Sequence, residues 1–552
     1  MFSRKNKKYR QIDVDEVFMD SFNVAGYHRE SLEGALEDPI GKSVFTFLGA
    51  GFLLVAVVFL SRVGFLQIAK GDDFTHRAED NYLREIIVEP ERGVIFDRNK
   101  TALTTNEKEF GRRYPSEGFL HSIGFLTRKD NLLLSSGASG LEALYDEILK
   151  GTPGKIIEEI NAKDEVVGSG FVVESRAGGG LLTSLDRGLQ TRLLQAIAST
   201  ADTYGFTGGA GVVMNPQTGE VLALSSAPEF DPNILIENPK KDIVDKLVND
   251  PKKPFFNRAV SGLYPPGSIV KPAVAAAALA EGVIDSKKEI LSSGPIIIKN
   301  PFSPDKSDFF PDWKPHGWVD MRKALAVSSD IYFYTVGGGH EGQSGLGVWN
   351  IEKYFREFGF GKKTGIDLFG EKEGFLPDPE KATGDGRKWG IGDTYHLAIG
   401  QGDLQVTPVQ MAFYASLLAG FGEAIYPHIV NAILNKDNNV VEKFSYSSYK
   451  IDGISKEIFN EVREGMRDAV KYGTAVGLSG YPLDIAAKTG TAEIGNTGRV
   501  HSWSIGFLPY DNPKIAWAIV MENGPVANTV GGTFVVSQMI QWMIATNFLQ
   551  SL

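Results

Sequence analysis

Cysteine occurs nowhere in the 552 residues, so a disulfide framework, a thiolate metal ligand and a thiol nucleophile are all excluded. An oxidising compartment is permitted by this absence without being indicated. Positive charge is in deficit: 57 Lys and Arg against 68 Asp and Glu give a formal net charge of -11, which argues against a general polyanion binder and hence against nucleic acid as a partner. The chain also lacks an H-E-x-x-H helix, a phosphate-binding P-loop, internal repeats and low-complexity tracts. What remains is an ordinary globular composition, 42% hydrophobic and 23% charged. The length allows two or three domains, because single cores rarely grow past about 250 to 300 residues.

One segment changes the class. Val44 to Ser61 reads VFTFLGAGFLLVAVVFLS without a charge. At about 1.5 Å per residue it crosses most of a roughly 30 Å hydrocarbon core, with Arg62 able to snorkel at the far face. The run begins far from the terminus and no A-x-A-like site follows it, which predicts an uncleaved anchor over 44–68 rather than a signal peptide; a buried core helix is the alternative. The basic leader MFSRKNKKYR predicts a cytoplasmic tail over 1–43, with the chain after Arg62 outside, although acidic residues between Asp13 and Glu37 dilute that bias.

From 69 to 180 the pattern is mixed: an amphipathic FTHRAEDNYLREI, an extended IIVEPERGVIFDRNKTALTTN and glycine-rich turns in SSGASGLEALYDEILKGTPG. The triple glycine of SRAGGG marks a composition shift and a domain boundary at 180/181. Beyond it Leu189, Leu193, Leu194 and Ile197 recur at helical spacing behind a capping Asp186, and GAGVVMNPQTGEVLALSS reads as two strands joined by a turn. Strands and helices alternate irregularly through 181–552, which predicts an α+β domain with a mostly antiparallel sheet and helices packed on it.

The decapeptide YPPGSIVKPA, Tyr264 to Ala273, raises the chemical question. Pro272 lacks an N–H and fits only the first turn of a helix, so the helix begins near Ser268. Ser268 and Lys271, three residues apart, then share one face of that turn. A serine hydroxyl is too weak an acid to attack unaided, and a lysine can serve as its base only where burial or a second cation disfavours the ammonium form. The plainer reading makes Ser268 a helix cap and Lys271 a solvated side chain. Downstream, KALAVSSDIYFY carries Ser328 and Asp330, and IAAKTGTAEI carries Lys488, Thr489, Gly490 and Thr491. Taken singly these are helix-start polar residues and a strand with its turn. Together, in order, they match the Ser-x-x-Lys, Ser-Asp-Asn and Lys-Thr-Gly set of serine β-lactamases and penicillin-binding proteins.

The sequence resembles the class B penicillin-binding proteins, most closely the elongation-type penicillin-binding protein 2, from the anchor nearly to the C-terminus. Beyond the three elements the resemblance is carried by RGVIFDRNKTALTTN, RRYP, GASGLEALYDEILKGTPG, GVVMNPQTGEVLALSSAPEFDPN, NRAVSGLYPPGSIVKP, LAIGQGDLQVTPVQMA and MENG. Asp330, where division-type relatives usually carry Asn, and DWKPHGWVDMRKAL favour the elongation type; a division-type enzyme is the alternative within the family. The resemblance implies an inner-membrane, single-pass protein with a non-catalytic pedestal over 69–180. Its transpeptidase domain over 181–552 would be of the serine β-lactamase-like kind, an antiparallel sheet sandwiched by helices. It implies further that Ser268 attacks the carbonyl between the last two D-alanines of a peptidoglycan stem peptide. Lys271 would take the hydroxyl proton, aided by burial and by Lys488, and Ser328 would relay it to the leaving amine beside Asp330. Backbone N–H groups of Ser268 and Thr491 would form the oxyanion hole, Lys488, Thr489 and Thr491 would meet the substrate carboxylate, and Gly490 would let substrate backbone approach the strand edge.

No cofactor is implied. The implied partners are stem peptides and lipid-linked glycan strands, β-lactams as covalent inhibitors, the membrane, and a multispanning glycan polymerase, since no glycosyltransferase domain has room before Leu181. The pedestal departs from the family pattern: only EKEFG and its flanks separate Asn106 from Arg113, where relatives carry a substantial insertion used for scaffold and polymerase contacts. Some relatives bind zinc near the segment matching DKSDFFPDWKPHG, where Asp308, Asp312 and His316 offer ligands, but without thiolate no closed set is visible and the expectation is that no metal binds. From another functional class, a β-lactam sensor or inactive scaffold with the same fold stands as the competing reading.

Overall fold

The 44–61 run carries apolar side chains of its own on every side, and the segment is helical. Lys42–Gly64 forms α1, and one π-helical turn over Phe65–Ala69 prolongs it. None of α1 is buried, and Phe47 remains 82% exposed, so the core-helix alternative does not hold; by length and composition Lys42–Ala69 suits a membrane anchor. Arg62 lies in the last turn with its guanidinium 5.6 Å from the Phe65 ring centroid. The structure is a computed structural model and describes residues 41–74, 83–107, 111–128, 135–160, 166–236, 241–299, 307–381, 388–495, 497–527 and 530–552. The tail expected over 1–43 and the amphipathic stretch after Phe74 fall almost wholly outside these residues. The chain forms two compact units, residues 1–84 with 159–167, and residues 85–158 with 168–552; the remaining description concerns the second.

Three family-like segments of the pedestal meet at one carboxylate. Glu142, fully buried, accepts from Arg92 Nε at 2.7 Å, from Arg112 Nε at 2.7 Å and from the Tyr114 hydroxyl at 3.3 Å. Two guanidinium groups around one acid satisfy a charge that could not otherwise be buried. The shortened stretch between Asn106 and Arg113 is closed by a ribbon in which Thr105–Glu107 pairs antiparallel with Gly111–Arg113. The expected boundary at 180/181 falls inside a shared sheet: Gly180–Thr183 runs parallel to Ile95–Phe96 and antiparallel to Val430–Leu434. The triple glycine there serves close packing, since a Cβ on Gly178 would lie 1.9 Å from the Leu149 carbonyl oxygen.

The main layer begins with α2, Arg187–Tyr204, where the Asp186 side chain accepts from the Leu189 N–H as the sequence predicts. Strands β1, Gly208–Met214, and β2, Val221–Ala227, follow as the expected pair. Then come α3, Lys271–Ala280, α4, Met321–Val327, α5, Asp330–Gly338, α6, Pro408–Ala419, and α7, Lys456–Lys471. The chain ends with β3, Ala486–Glu493, β4, Arg499–Leu508, β5, Ile515–Pro525, and α8, Gly532–Ala545. The five strands form one antiparallel sheet in the order β2-β1-β5-β4-β3.

Both faces of this sheet are covered, and the alternation of side chains shows it. In β5, Ala516, Ala518 and Val520 enter the core that contains α3, α5 and α6, whereas Ile515, Trp517, Ile519 and Met521 enter the core that contains α2 and α8. Every residue of α6 is buried, Gln410 and Ser416 included. The antiparallel sheet between helices that the sequence led us to expect is the observed fold. Strand β3 is left at the sheet edge, and this places the Lys-Thr-Gly segment beside the start of α3.

Candidate active site

The Ser268 turn is built on glycine. Gly267 has φ +58°, its N–H donates to the Gly400 carbonyl at 2.8 Å, and a Cβ on it would lie 2.6 Å from the Thr491 carbonyl oxygen. A Cβ on Gly400 would sit 2.2 Å from the Gly267 oxygen, and one on Gly490 would sit 2.8 Å from the Pro266 oxygen. Three glycines from distant parts of the chain thus let the GQG loop, the nucleophile turn and β3 meet backbone to backbone. The bare side of Gly490 faces this turn and is filled by Pro266 and Ile269, so its lack of a side chain makes room for the turn.

Gly267–Val270 is a 3₁₀ turn that runs directly into α3, with Pro272 in the first turn of the α-helix as predicted. Because side chains at i and i+3 eclipse in a 3₁₀ turn, Ser268 and Lys271 stand on one side. The cap reading of Ser268 does not hold: the residue lies within the turn, Pro266 occupies the N-cap, and the Ser268 hydroxyl has no hydrogen-bond partner among the described residues.

Lys271 is fully buried at the head of α3. Its Nζ donates to Asp330 Oδ1 at 2.7 Å, to the Ser328 carbonyl at 2.9 Å and to Ser328 Oγ at 3.3 Å. Lys488, equally buried on β3, donates to Ser328 Oγ at 2.8 Å and to the Thr489 carbonyl at 2.8 Å. One hydroxyl therefore bridges two lysines. Ser328 reaches this place from a left-handed conformation, φ 59° and ψ 44°, between α4 and α5. Asp330 opens α5, where the positive end of the helix favours its charge.

Burial and then the nearby Lys271 charge hold the Lys488 amine well below the usual lysine range, while Asp330 opposes them. Two of its three hydrogen-bonding positions are used within the described residues. Thr489 and Thr491 alternate onto the opposite pleat face from Lys488 and Gly490; Thr489 Oγ1 donates to Thr474 Oγ1 at 2.7 Å, and Thr491 is exposed. The outer edge of β3 has no strand partner among the described residues, so an extended peptide can add to it.

Hydrogen bonds thus join Lys271, Ser328, Asp330 and Lys488, with Ser268 on the adjoining turn, whereas Thr489 and Thr491 lie on the other face of β3; Thr474, Gly267 and Gly400 are added by the fold. KYGTA around Thr474 carries only a turn signal, which does not reveal that this turn will reach β3. The candidate zinc ligands behave differently. Asp308 is exposed, while Asp312 and His316 face each other at 3.5 Å, and burial, the largest influence, holds the His316 imidazole below the usual histidine range. Among the described residues no three His, Asp or Glu side chains are grouped to hold an ion.

Known proteins resemble this arrangement. Residues 209–537 match the penicillin binding protein transpeptidase domain family. The chain is 29% identical over 585 residues to peptidoglycan D,D-transpeptidase MrdA of Acinetobacter baumannii, spanning 87% of this chain and 84% of that one. Among solved structures, Pseudomonas aeruginosa PBP2 in complex with WCK 5153 superposes with TM-score 0.69 at 30% identity, over 83% of this chain and 97% of that one. Helicobacter pylori PBP2, solved with MreC, gives TM-score 0.69 at 26% identity over 84% and 100%. With Ser268, Lys271, Ser328, Asp330 and Lys488 all inside the matched region, the chain belongs to the penicillin-binding protein transpeptidase family, in its class B, elongation-type PBP2 branch.

Proposed function

We propose that the chain is a peptidoglycan D,D-transpeptidase that cross-links stem peptides through a Ser268 acyl-enzyme during cell elongation. The observation that carries this reading is the Ser328 hydroxyl held between Lys271 and Lys488, beside the turn on which Ser268 and Lys271 eclipse. Lys271, one turn from Ser268 at the head of α3, takes the Ser268 proton as the hydroxyl adds to the D-Ala–D-Ala carbonyl. The backbone N–H groups of Ser268 and Thr491 receive the oxyanion, a contribution often worth about 3 to 4 kcal/mol per donor. Ser328 passes the proton to the leaving D-alanine amine. The substrate carboxylate meets Lys488, Thr489 and Thr491 along β3. The amine of a neighbouring stem peptide then resolves the ester and forms the cross-link.

The basic leader supports a cytoplasmic N-terminus, with the second unit outside the inner membrane. A multispanning glycan polymerase supplies the strands, and β-lactams acylate Ser268 as substrate mimics. The Helicobacter pylori relative was solved with MreC, and a partner from the same machinery is proposed here despite the shortened pedestal.

Labelling with a fluorescent penicillin tests the site: wild type is expected to be labelled and Ser268→Ala to lose all label, and equal labelling would sink the proposal. Incubation with lipid-linked glycan strands and a polymerase separates transpeptidase from sensor or scaffold. Cross-linked dimers are expected, whereas rapid turnover of the penicillin adduct without dimers would favour the other class.

A further inference from the structure

Asp312 belongs to none of the three sequence elements, yet donors from two directions converge on its carboxylate. Oδ2 accepts from Ser292 Oγ at 2.8 Å, from Ser329 Oγ at 2.8 Å and from the Ile331 N–H at 3.2 Å; Oδ1 accepts from the Trp313 N–H at 2.9 Å. The side chain is only 5% exposed. A buried carboxylate so fully engaged with protein donors holds whatever carries those donors.

What it holds is the start of α5. Ser329 is the N-cap of that helix, its Oγ accepting from the Tyr332 N–H at 3.3 Å, and the Ile331 N–H is one of the first-turn donors that have no partner inside a helix. Asp312 completes this cap from outside, at the helix end that favours an anion. Each hydroxyl has one proton, and both Ser292 and Ser329 spend theirs on Asp312. The 3.1 Å approach of the two hydroxyl oxygens therefore follows from their shared acceptor. Immediately before Ser329 lies Ser328, in a left-handed conformation that a non-glycine residue adopts only when its surroundings impose it. Immediately after lies Asp330, the partner of Lys271.

We infer that Asp312 is a positioning residue for acyl transfer: by clamping Ser329 and the Ile331 N–H to Ser292 it fixes the left-handed kink at Ser328, and so keeps the Ser328 hydroxyl between Lys271 and Lys488. This rests on the transpeptidase reading of the site. Asp312 touches no reacting atom and acts through the segment that carries Ser328.

The test is a double-mutant cycle on penicillin acylation, followed for hours by mass spectrometry so that slow variants are resolved. Asp312→Asn keeps the size but puts an amide donor where an acceptor is needed. The acylation rate at saturating β-lactam is expected to fall roughly ten- to a hundred-fold, the scale of a lost hydrogen bond to a charged group, with the dissociation constant of the noncovalent complex nearly unchanged. In the Ser328→Ala background the same substitution is expected to add nothing, because neighbours acting as one unit are not additive. Ser292→Ala, which removes one donor and leaves the cap in place, is expected to give a smaller fall that also vanishes in the Ser328→Ala background. Losses that multiply in the double variants, or weakened noncovalent binding with an unchanged acylation rate, would overturn the inference and leave the transpeptidase reading intact. A wild type that is not acylated would overturn both.

Discussion

Gly400 and Gly402 show at the residue scale how a short motif divides its labour. Both have positive φ, +76° and +77°, but a Cβ on Gly400 would strike the Gly267 oxygen at 2.2 Å whereas one on Gly402 would meet the His396 side chain at an ordinary 3.7 Å. Gly402→Ala should cost only the roughly 1 kcal/mol of left-handed backbone and retain penicillin labelling. Gly400→Ala should add a backbone clash that displaces the Ser268 turn and abolish labelling at unchanged protein concentration; comparable labelling of the two variants would contradict this account. The residues proposed to carry bond-making were legible as an ordered set of three motifs and a family resemblance, because Ser-x-x-Lys, Ser-x-Asp and Lys-Thr-Gly are local patterns. Gly400, Thr474 and Asp312 were not, since each acts on a segment far away in the chain.

Elements carry the pH dependence. Glu229 follows β2 and reaches back to the pedestal, where it accepts from the Gly118 N–H at 2.5 Å. Burial is the largest influence and pushes its carboxyl up to about 7, against the backbone N–H groups of Gly118 and Leu120. A raised folded-state value means that the stabilisation is complete below about pH 4.5 and is lost as the pH rises through about 7. Wild type should therefore lose on the order of 2 to 3 kcal/mol between these limits relative to Glu229→Gln, read from denaturant unfolding at each pH. Parallel curves for the two proteins would remove Glu229 as the cause. The sequence predicted α2, its Asp186 cap and the β1–β2 pair, because period and capping act within a few residues. It missed that Ser268 lies inside a 3₁₀ turn and not at a cap, a choice made by Gly267 against Gly400 and β3.

For the whole molecule, α1 and the second unit separate anchoring from chemistry. The full chain is expected to sediment with membranes. A chain lacking residues 1–70 is expected in the soluble fraction and still labelled by penicillin, because no residue of the active site comes from that segment. Retention in the membrane pellet after truncation would place the anchor elsewhere.

The sequence by itself determined the uncharged 44–61 run, the helix that Pro272 must open, the lack of any thiol and the identities of Ser268, Lys271, Ser328, Asp330 and Lys488. Only the tertiary structure decided that Lys271 and Lys488 share one hydroxyl, that Gly490 serves the nucleophile turn, and that Asp312 caps α5 from outside. The reason is physical: propensity, period and capping are set by neighbours within a turn or two, whereas these contacts depend on the strand order β2-β1-β5-β4-β3, which brings the chain's last strands beside a helix formed more than 200 residues earlier.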